Sequence, residues 1–330
     1  MPLIIRETRL KIRDFQSTVG SAEDPYNISQ TAEEKEMELI RKKSSTGVHV
    51  NHTMLRGEEF PYFTFPNLEK LDFLTHLFTT RMGGVSSGAL QSLNLSYARG
   101  DEPSNVDENF ARVAKVLGVS VQDMVFTDQT HAANVRVVTE KDRGKGIVKK
   151  RDFHEIDGLV TNTPGIVLCA FFADCVPVLL ADPVHRAIGL VHSGWRGTAS
   201  SISQMALGKM RDVYGTRPGD CYAAVGPSIC GDCYEVSGDV AEVFLEAFGF
   251  AAAGSKEEAE EKELPLYRKP GGKYQLNLWR ANELVLLDAG VPREHIFITD
   301  VCTCCNPQIL FSHRASGGQR GNLGAFMMLK

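Results

Sequence analysis

Residues Phe171–Thr198 read FFADCVPVLLADPVHRAIGLVHSGWRGT, two apolar runs separated by ADPVHR and closed by Gly-Trp-Arg-Gly. Short apolar runs bounded by a turn signal read as buried strands. Pro183 suits the first central position of a type I or II turn, because its ring fixes φ. With Pro183 and Val184 at the centre, residues facing across the hairpin have numbers that sum to 367, which sets Cys175 opposite His192. Directly opposed side chains in an antiparallel pair have Cβ atoms about 4.5–5.5 Å apart. A thiol and an imidazole so placed can share one ion or touch each other. A register change of one residue would send them to opposite faces. Pro177 lacks an N–H, which predicts an edge position or a bulge for the first strand.

A buried Cys can act as a small hydrophobe, and a buried His can be a hydrogen-bonded core residue. The surroundings argue for more. Asp174, Ser193, Gly194, Trp195 and Arg196 gather polar and aromatic groups at the same end of the hairpin, as at the mouth of a pocket.

The chain has 330 residues, enough for one large domain or two small ones. Hydrophobic residues make up 43% and charged residues 23%, the balance of a soluble globular enzyme. A net charge of −5 gives no broad attraction to nucleic acid or to an anionic membrane. No apolar run reaches the length of a membrane span. The opening MPLIIRETRLKIRDF lacks the apolar core and cleavage site of a signal peptide, so the expected location is cytoplasmic. Eight cysteines are too few for a secreted disulfide scaffold of this size. They must therefore serve as core residues, metal ligands or nucleophiles.

Residues 1–57 are polar and charged, with one short helix-capable piece. They read as a flexible or peripheral N-terminal extension, with Met54 as an alternative start. Residues 58–330 read as one α+β domain with several hairpins. HLFTT (76–80), NVRVVTE, HIFITD and GAFMMLK are strand-like, and residues 158–195 carry three more apolar strands. SNVDENFARVAKVLG is a helix with Ser104 as cap and Gly118 as stop. TASSISQMALGKMRDVYG is a second, with Ile202, Met205, Ala206, Met210 and Val213 on its buried face. Asn277 caps a third, NLWRANELVLLDAGV. KDRGKGIVKKR (141–151) reads first as a solvated basic loop and second as a steering element for an anionic substrate. SKEEAEEKE (255–263) reads as a charged surface insertion.

CGDC (230–233) and CTCC (302–305) each contain a C-x-x-C spacing. Together they could hold a structural zinc ion. The 68 residues between them far exceed the roughly 15–20 of compact zinc ribbons, which favours separate local roles. No P-loop is present, and GGQRGNLG lacks the G-x-G-x-x-G spacing. The H-x-E…P-C-x-x-C pattern of zinc deaminases is missing. No H-x-H pair encodes a multi-copper cluster, and no Met follows closely on Cys175 or His192 as a blue-copper axial ligand would.

FTTRMGGVSSG, TDQTHAANV, DGLVTNTPG, ADCVPVLLADP, GLVHSGWRGT, VGPSICGDCYEVS and CTCCNPQILFSHRASGGQRG appear in that order. Together they resemble the YfiH/laccase-domain family over about residues 60–330. The resemblance implies a β-sandwich flanked by helices. It also implies a metal-binding and catalytic trio of His131, Cys175 and His192. The residues alone do not choose His131 over His154, His185 or His313; the resemblance does. Family members are named purine nucleoside phosphorylase or polyphenol oxidase. The implied activity is phosphorolysis of adenosine, inosine and methylthioadenosine, with adenosine deamination. Its partners would be a purine nucleoside and phosphate, with no nucleic acid or membrane, in a monomer or small homo-oligomer. Many members have Ala in place of Ser193, a departure expected to matter little.

Two histidines and one cysteine leave a fourth zinc position open, the mark of a catalytic site. Zinc is the expected ion and copper the alternative. Zinc brings the pKa of bound water to about 7. Phosphorolysis also needs cationic groups for phosphate. Arg81, beside Gly83 and Gly84, is one candidate, and Arg196 and Arg314 are others; each also reads as a surface or structural ion pair. Three rival functions stand beside this one. They are a copper-dependent polyphenol oxidase, a metal-free amide hydrolase, and an accessory role. In the hydrolase, Cys175 attacks and His192 is the base, a chemistry that fits peptidoglycan precursor editing.

Overall fold

The structure is a computed structural model that describes residues 38–42 and 47–330. Most of the expected extension lies outside those residues, and the described part of its helix-capable piece, 38–42, is not helical. In chain order the strands are β1 (His49–Leu55), β2 (Glu58–Thr64), β3 (Leu74–Thr79), β4 (Met124–Phe126), β5 (Val135–Val137), β6 (Gly158–Thr161), β7 (Val167–Phe172), β8 (Val176–Asp182), β9 (Ala187–Ser193), β10 (Tyr222–Val225), β11 (Glu235–Val236), β12 (Leu266–Arg268), β13 (Tyr274–Leu276), β14 (Ile296–Ile298) and β15 (Leu323–Leu329). One six-stranded sheet has the order β1-β2-β3-β15-β7-β4 and a second the order β14-β10-β8-β9-β6-β5. A small third sheet is β11-β13-β12.

Side-chain alternation explains how these sheets stack. In β7, Leu168 and Ala170 join a core shared with Leu179, Ala181, Ile188 and Leu190 of the second sheet. Val167 and Cys169 point the other way and pack with Val106, Phe110, Val113 and Leu117 of the helix Pro103–Leu117. In β8, Val176, Val178 and Leu180 face the helices Ile202–Tyr214 and Leu278–Asp288. The result is two sheets face to face with helices on both outer surfaces, an α+β fold. Every residue of β8 and β9 is buried. Both runs are therefore continuously apolar rather than alternating.

Several details differ from the sequence reading. β1 falls inside the stretch expected to be an extension, yet it pairs with β2 from His49↔Thr64 to Leu55↔Glu58, and Met54 lies within it. The segment 158–195 holds four strands, not three, and β7 belongs to the opposite sheet. Glu102, not Ser104, caps the first helix, because Pro103 sits in its first turn, where a missing N–H costs nothing. The second helix breaks at Ser201, which has φ +54°; Met205 and Val213 are exposed, while Ile202, Ala206, Leu207 and Met210 are buried. β8 is interior, between β10 and β9, not an edge strand. Pro177 is tolerated there as the second residue of the strand, one position beyond the last residue paired with β10. No helix among the described residues is long and apolar enough to cross a membrane.

Candidate metal centre

The chain passes repeatedly between the two large sheets, and two of these passages carry the candidate ligands. β4 lies in the first sheet and β5 in the second, so the connection holding His131 crosses between them. The bend after β7 returns to β8 and carries Cys175. His192 is the penultimate residue of β9. The hairpin register is Pro177↔His192, two residues away from the expected Cys175↔His192. The loop is longer than a two-residue turn. The Asp182 carboxylate accepts the Val184 and His185 amides, and Arg186 turns at φ +47°, so Asp182 pairs with Ala187. A slip of two keeps each side chain on its face. Cys175 and His192 consequently both face the space between the sheets.

One ligating atom each from His131, Cys175 and His192 lie within 4.8 Å of one another. Cys175 Sγ is 3.8 Å from His131 Nε2, and the two imidazole rings meet edge to face at 5.0 Å. His154, His185 and His313 stand outside this group. Ser193 turns away and bonds Thr198 Oγ1 at 2.9 Å.

Asp157, which the sequence reading gave no role, organises the trio. Its carboxylate accepts the backbone amides of Thr130, His131 and Ala132 at 3.0–3.1 Å. It also sits 2.7 Å from His192 Nδ1. That contact leaves His192 Nε2 to face the other two ligands, the carboxylate–histidine pattern common behind metal sites. The three amide bonds hold His131 at φ +66°, a left-handed conformation uncommon outside glycine. An Asp before Gly at the head of a strand looks like an ordinary turn residue, so the sequence carried no signal for this role.

Burial works against a charged sulfur, but His192 and His131 outweigh it and bring the Cys175 thiol down to about 6. Burial also opposes a charged His192, yet the thiolate and Asp157 raise it to about 9. Asp157 is held below the usual carboxylate range; burial opposes this, and its bonds to His192 and the amides prevail. Two ring nitrogens and a ready thiolate form a donor set suited to zinc. Among the described residues the other converging His/Cys/carboxylate group is a set of four cysteines. Neither group is the histidine-rich cluster that several copper ions require.

The trio borders a cavity of about 750 Å³. Of the three predicted arginines, Arg196 and Arg314 line it and Arg81 does not. Arg81 donates to the carbonyls of Gln91 and Pro307, both at 2.7 Å, and lies over Phe311. The nearby glycine has a packing reason. A Cβ on Gly84 would lie 2.3 Å from the Ser92 carbonyl oxygen. Arg196 lies over Trp195, and the Arg314 amide donates to Asp174.

Arg99, Arg151 and Arg320 also line the cavity. Arg320 Nε is buried without a hydrogen-bond partner, and burial together with Arg99 pulls the group down to about 10. Its GGQRGNLG segment drew attention for glycine, not for the arginine. The basic loop 141–151 is tied down. Lys145 pairs with Asp142 and Asp152, Arg143 with Asp123 and Glu140, and Arg151 with Asp128.

The family described as "Multi-copper polyphenol oxidoreductase laccase" matches residues 75–330. The chain belongs to this laccase-like YfiH family. It is 35% identical over 257 residues to purine nucleoside phosphorylase YlmD of Bacillus subtilis, covering 77% of this chain and 87% of that one. It is 34% identical to adenosine deaminase RL5 from an unknown prokaryotic organism, covering 77% and 95%. The crystal structure of the Bacillus licheniformis hypothetical protein YfiH superposes with a TM-score of 0.74 at 32% identity, covering 82% of this chain and 96% of that one. The laccase-like family fold agrees with the two facing sheets and outer helices.

Proposed function

We propose that the chain is a purine nucleoside phosphorylase acting on adenosine, inosine and methylthioadenosine. Adenosine deamination would be a second activity of the same centre, with zinc held by His131, Cys175 and His192. The observation that carries this reading is the pairing of two features in one cavity. Three metal-ligating atoms converge at its wall, and Arg320, whose buried Nε has no hydrogen-bond partner, is among the residues that line it with Arg99. The names of the relatives supply the substrate class.

In phosphorolysis a phosphate oxygen attacks C1′ of the ribose while the C1′–N bond breaks. The base departs with the bonding electrons and takes up a proton. Arg320 and Arg99 offer positive charge to seat and orient the phosphate, a role proposed here in place of Arg81. Arg196 and Arg314 stand at the same wall. Tyr97, Phe171 and Trp195 offer aromatic faces to a purine. Bound zinc would supply Lewis-acid charge to the reacting groups. Asp157 keeps His192 oriented and His131 aimed throughout.

Incubation of adenosine with and without phosphate, beside a Cys175→Ala variant, tests the proposal. Phosphate-dependent adenine, absent in the variant, is the expected result. Inosine without adenine would overturn the phosphorolytic assignment. Neither product from metal-loaded protein would overturn the nucleoside reading as a whole.

A second reading has its own observation. Asp157, His192 and Cys175 stand in the order of a Cys-His-Asp hydrolase, with the thiol already at a low pKa. Activity that survives chelation but not thiol alkylation would favour it.

A further inference from the structure

The two C-x-x-C segments, expected to act separately, come together. β10 and β14 are parallel neighbours, paired from Ala223↔Ile296 to Val225↔Ile298. Parallel strands release their following loops at the same end, and here the loops go on pairing through Ser228↔Cys302. This places Cys230 and Cys233 beside Cys302 and Cys305 despite the long stretch of chain between them. All four sulfurs lie within 4.8 Å of one another, with Cys233 and Cys305 at 3.5 Å. A tetrahedron with zinc–sulfur bonds of about 2.3 Å has edges of about 3.8 Å, so the four need only small shifts to enclose an ion.

The surroundings match a thiolate cage. All four are free cysteines, and Cys230 and Cys302 are buried. The Cys230 amide donates to Cys302 Sγ at 3.2 Å. The Cys230 carbonyl accepts from the Cys233 and Tyr234 amides, closing a tight knuckle. Asn306 donates to the Cys302 carbonyl at 2.8 Å and fixes the second loop. Lys42 interacts electrostatically with Cys230 and Cys305, offsetting the negative charge that four thiolates around a divalent ion would leave. The neighbouring Cys304 stands outside the set.

We propose that Cys230, Cys233, Cys302 and Cys305 bind a second zinc ion, structural in role, that braces the loop carrying Cys175. The link runs through Asp174. Its carbonyl accepts the amide of Ile229, next to Cys230, at 3.1 Å. Its carboxylate accepts the hydroxyl of Thr303, next to Cys302, at 2.6 Å. Four protein ligands leave no open position, so the ion takes no part in turnover. The proposal stands apart from the nucleoside reading.

Zinc content of protein purified under reducing conditions tests it. Two equivalents per chain are expected. Cys175→Ala should remove one, and the Cys233→Ser/Cys305→Ser pair should remove the other while lowering the melting temperature. If that pair does not fold, the Cys175→Ala protein is stripped of metal and titrated with cobalt(II). A sulfur-to-cobalt charge-transfer band saturating at one equivalent is the expected result. One equivalent of zinc in the parent protein, lost entirely in Cys175→Ala, would overturn the proposal. So would the absence of that band, or disulfides among the four cysteines in reduced preparations. Metal counting is scored without turnover, so its failure is separable from failure of the nucleoside assay.

Discussion

At the scale of single residues, Gly194 has a narrow task. A Cβ there would lie 2.9 Å from His131 Cδ2 and 3.1 Å from Cys175 Sγ, both in the candidate centre. Its own backbone, φ −69° and ψ 175°, is open to any residue. Gly194→Ala should therefore spare the fold and displace two ligands. Misplacement of catalytic groups on the order of 1 Å can cost about 100-fold in rate. We expect kcat/KM to fall roughly 10- to 100-fold with the melting temperature nearly unchanged; unaltered kinetics would refute this. Cys175 and His192 were legible in the sequence because a polar pair at like depth in two apolar runs is unusual. Asp157 was not, since its partners are backbone amides that no residue pattern announces. Arg81 misled because glycines beside an arginine suggest an anion site, whereas Gly84 answers to the close passage of Ser92.

At the scale of elements, the β8–β9 hairpin shows how one side chain sets a register. Pro183 marked the turn correctly, but turn chemistry at Asp182 lengthened the loop to four residues and moved the pairing by two. Asp182 is fully buried, accepts two amides and contacts His185 Nδ1 at 2.8 Å. Asp182→Ala leaves those amides without their partner, at a cost of about 2 kcal/mol. Denaturant unfolding should show that loss of stability, with kcat retained at temperatures where the variant stays folded. An unchanged midpoint would show that the loop is set by Pro183 and Arg186 instead. Three helices were legible from their period, from the Gly118 stop and from the Asn277 cap. Ser104 was not the cap, the helix Gly238–Phe248 went unread, and the buried face of Ile202–Tyr214 was partly misassigned. All five expected positions lie beyond the break at Ser201 on one helix, and Met205 and Val213 are exposed although they share the period of the buried Ile202, Ala206 and Met210.

At the scale of the whole molecule, packing makes stability depend on acid. His76 of β3 is buried, accepts the Phe65 amide at Nε2 (2.8 Å), and is therefore neutral. Burial lowers it to about 4, with Glu69 offsetting part of the effect. The unfolded chain takes up this proton near pH 6.5 and the folded chain only near 4. Stability is thus intact above pH 6.5, drains away as the pH falls toward 4, and is flat below. A shift of that size is worth about 3 kcal/mol. In His76→Gln the amide keeps an acceptor without a proton to gain, so the gap between midpoints at pH 7 and pH 4.5 should shrink. Parallel profiles for parent and variant would contradict the assignment. The layered α+β class was legible from alternating elements. Membership of particular strands in one sheet or the other was not, because β7 and β8 are equally apolar yet part company at Cys175. That parting also matters beyond catalysis. An ion joining His131 to Cys175 closes a loop of chain 44 residues long, a removable cross-link that takes entropy from the unfolded ensemble much as a disulfide does. Free-metal concentration would then set, by mass action, how long the sandwich survives as well as how fast it works.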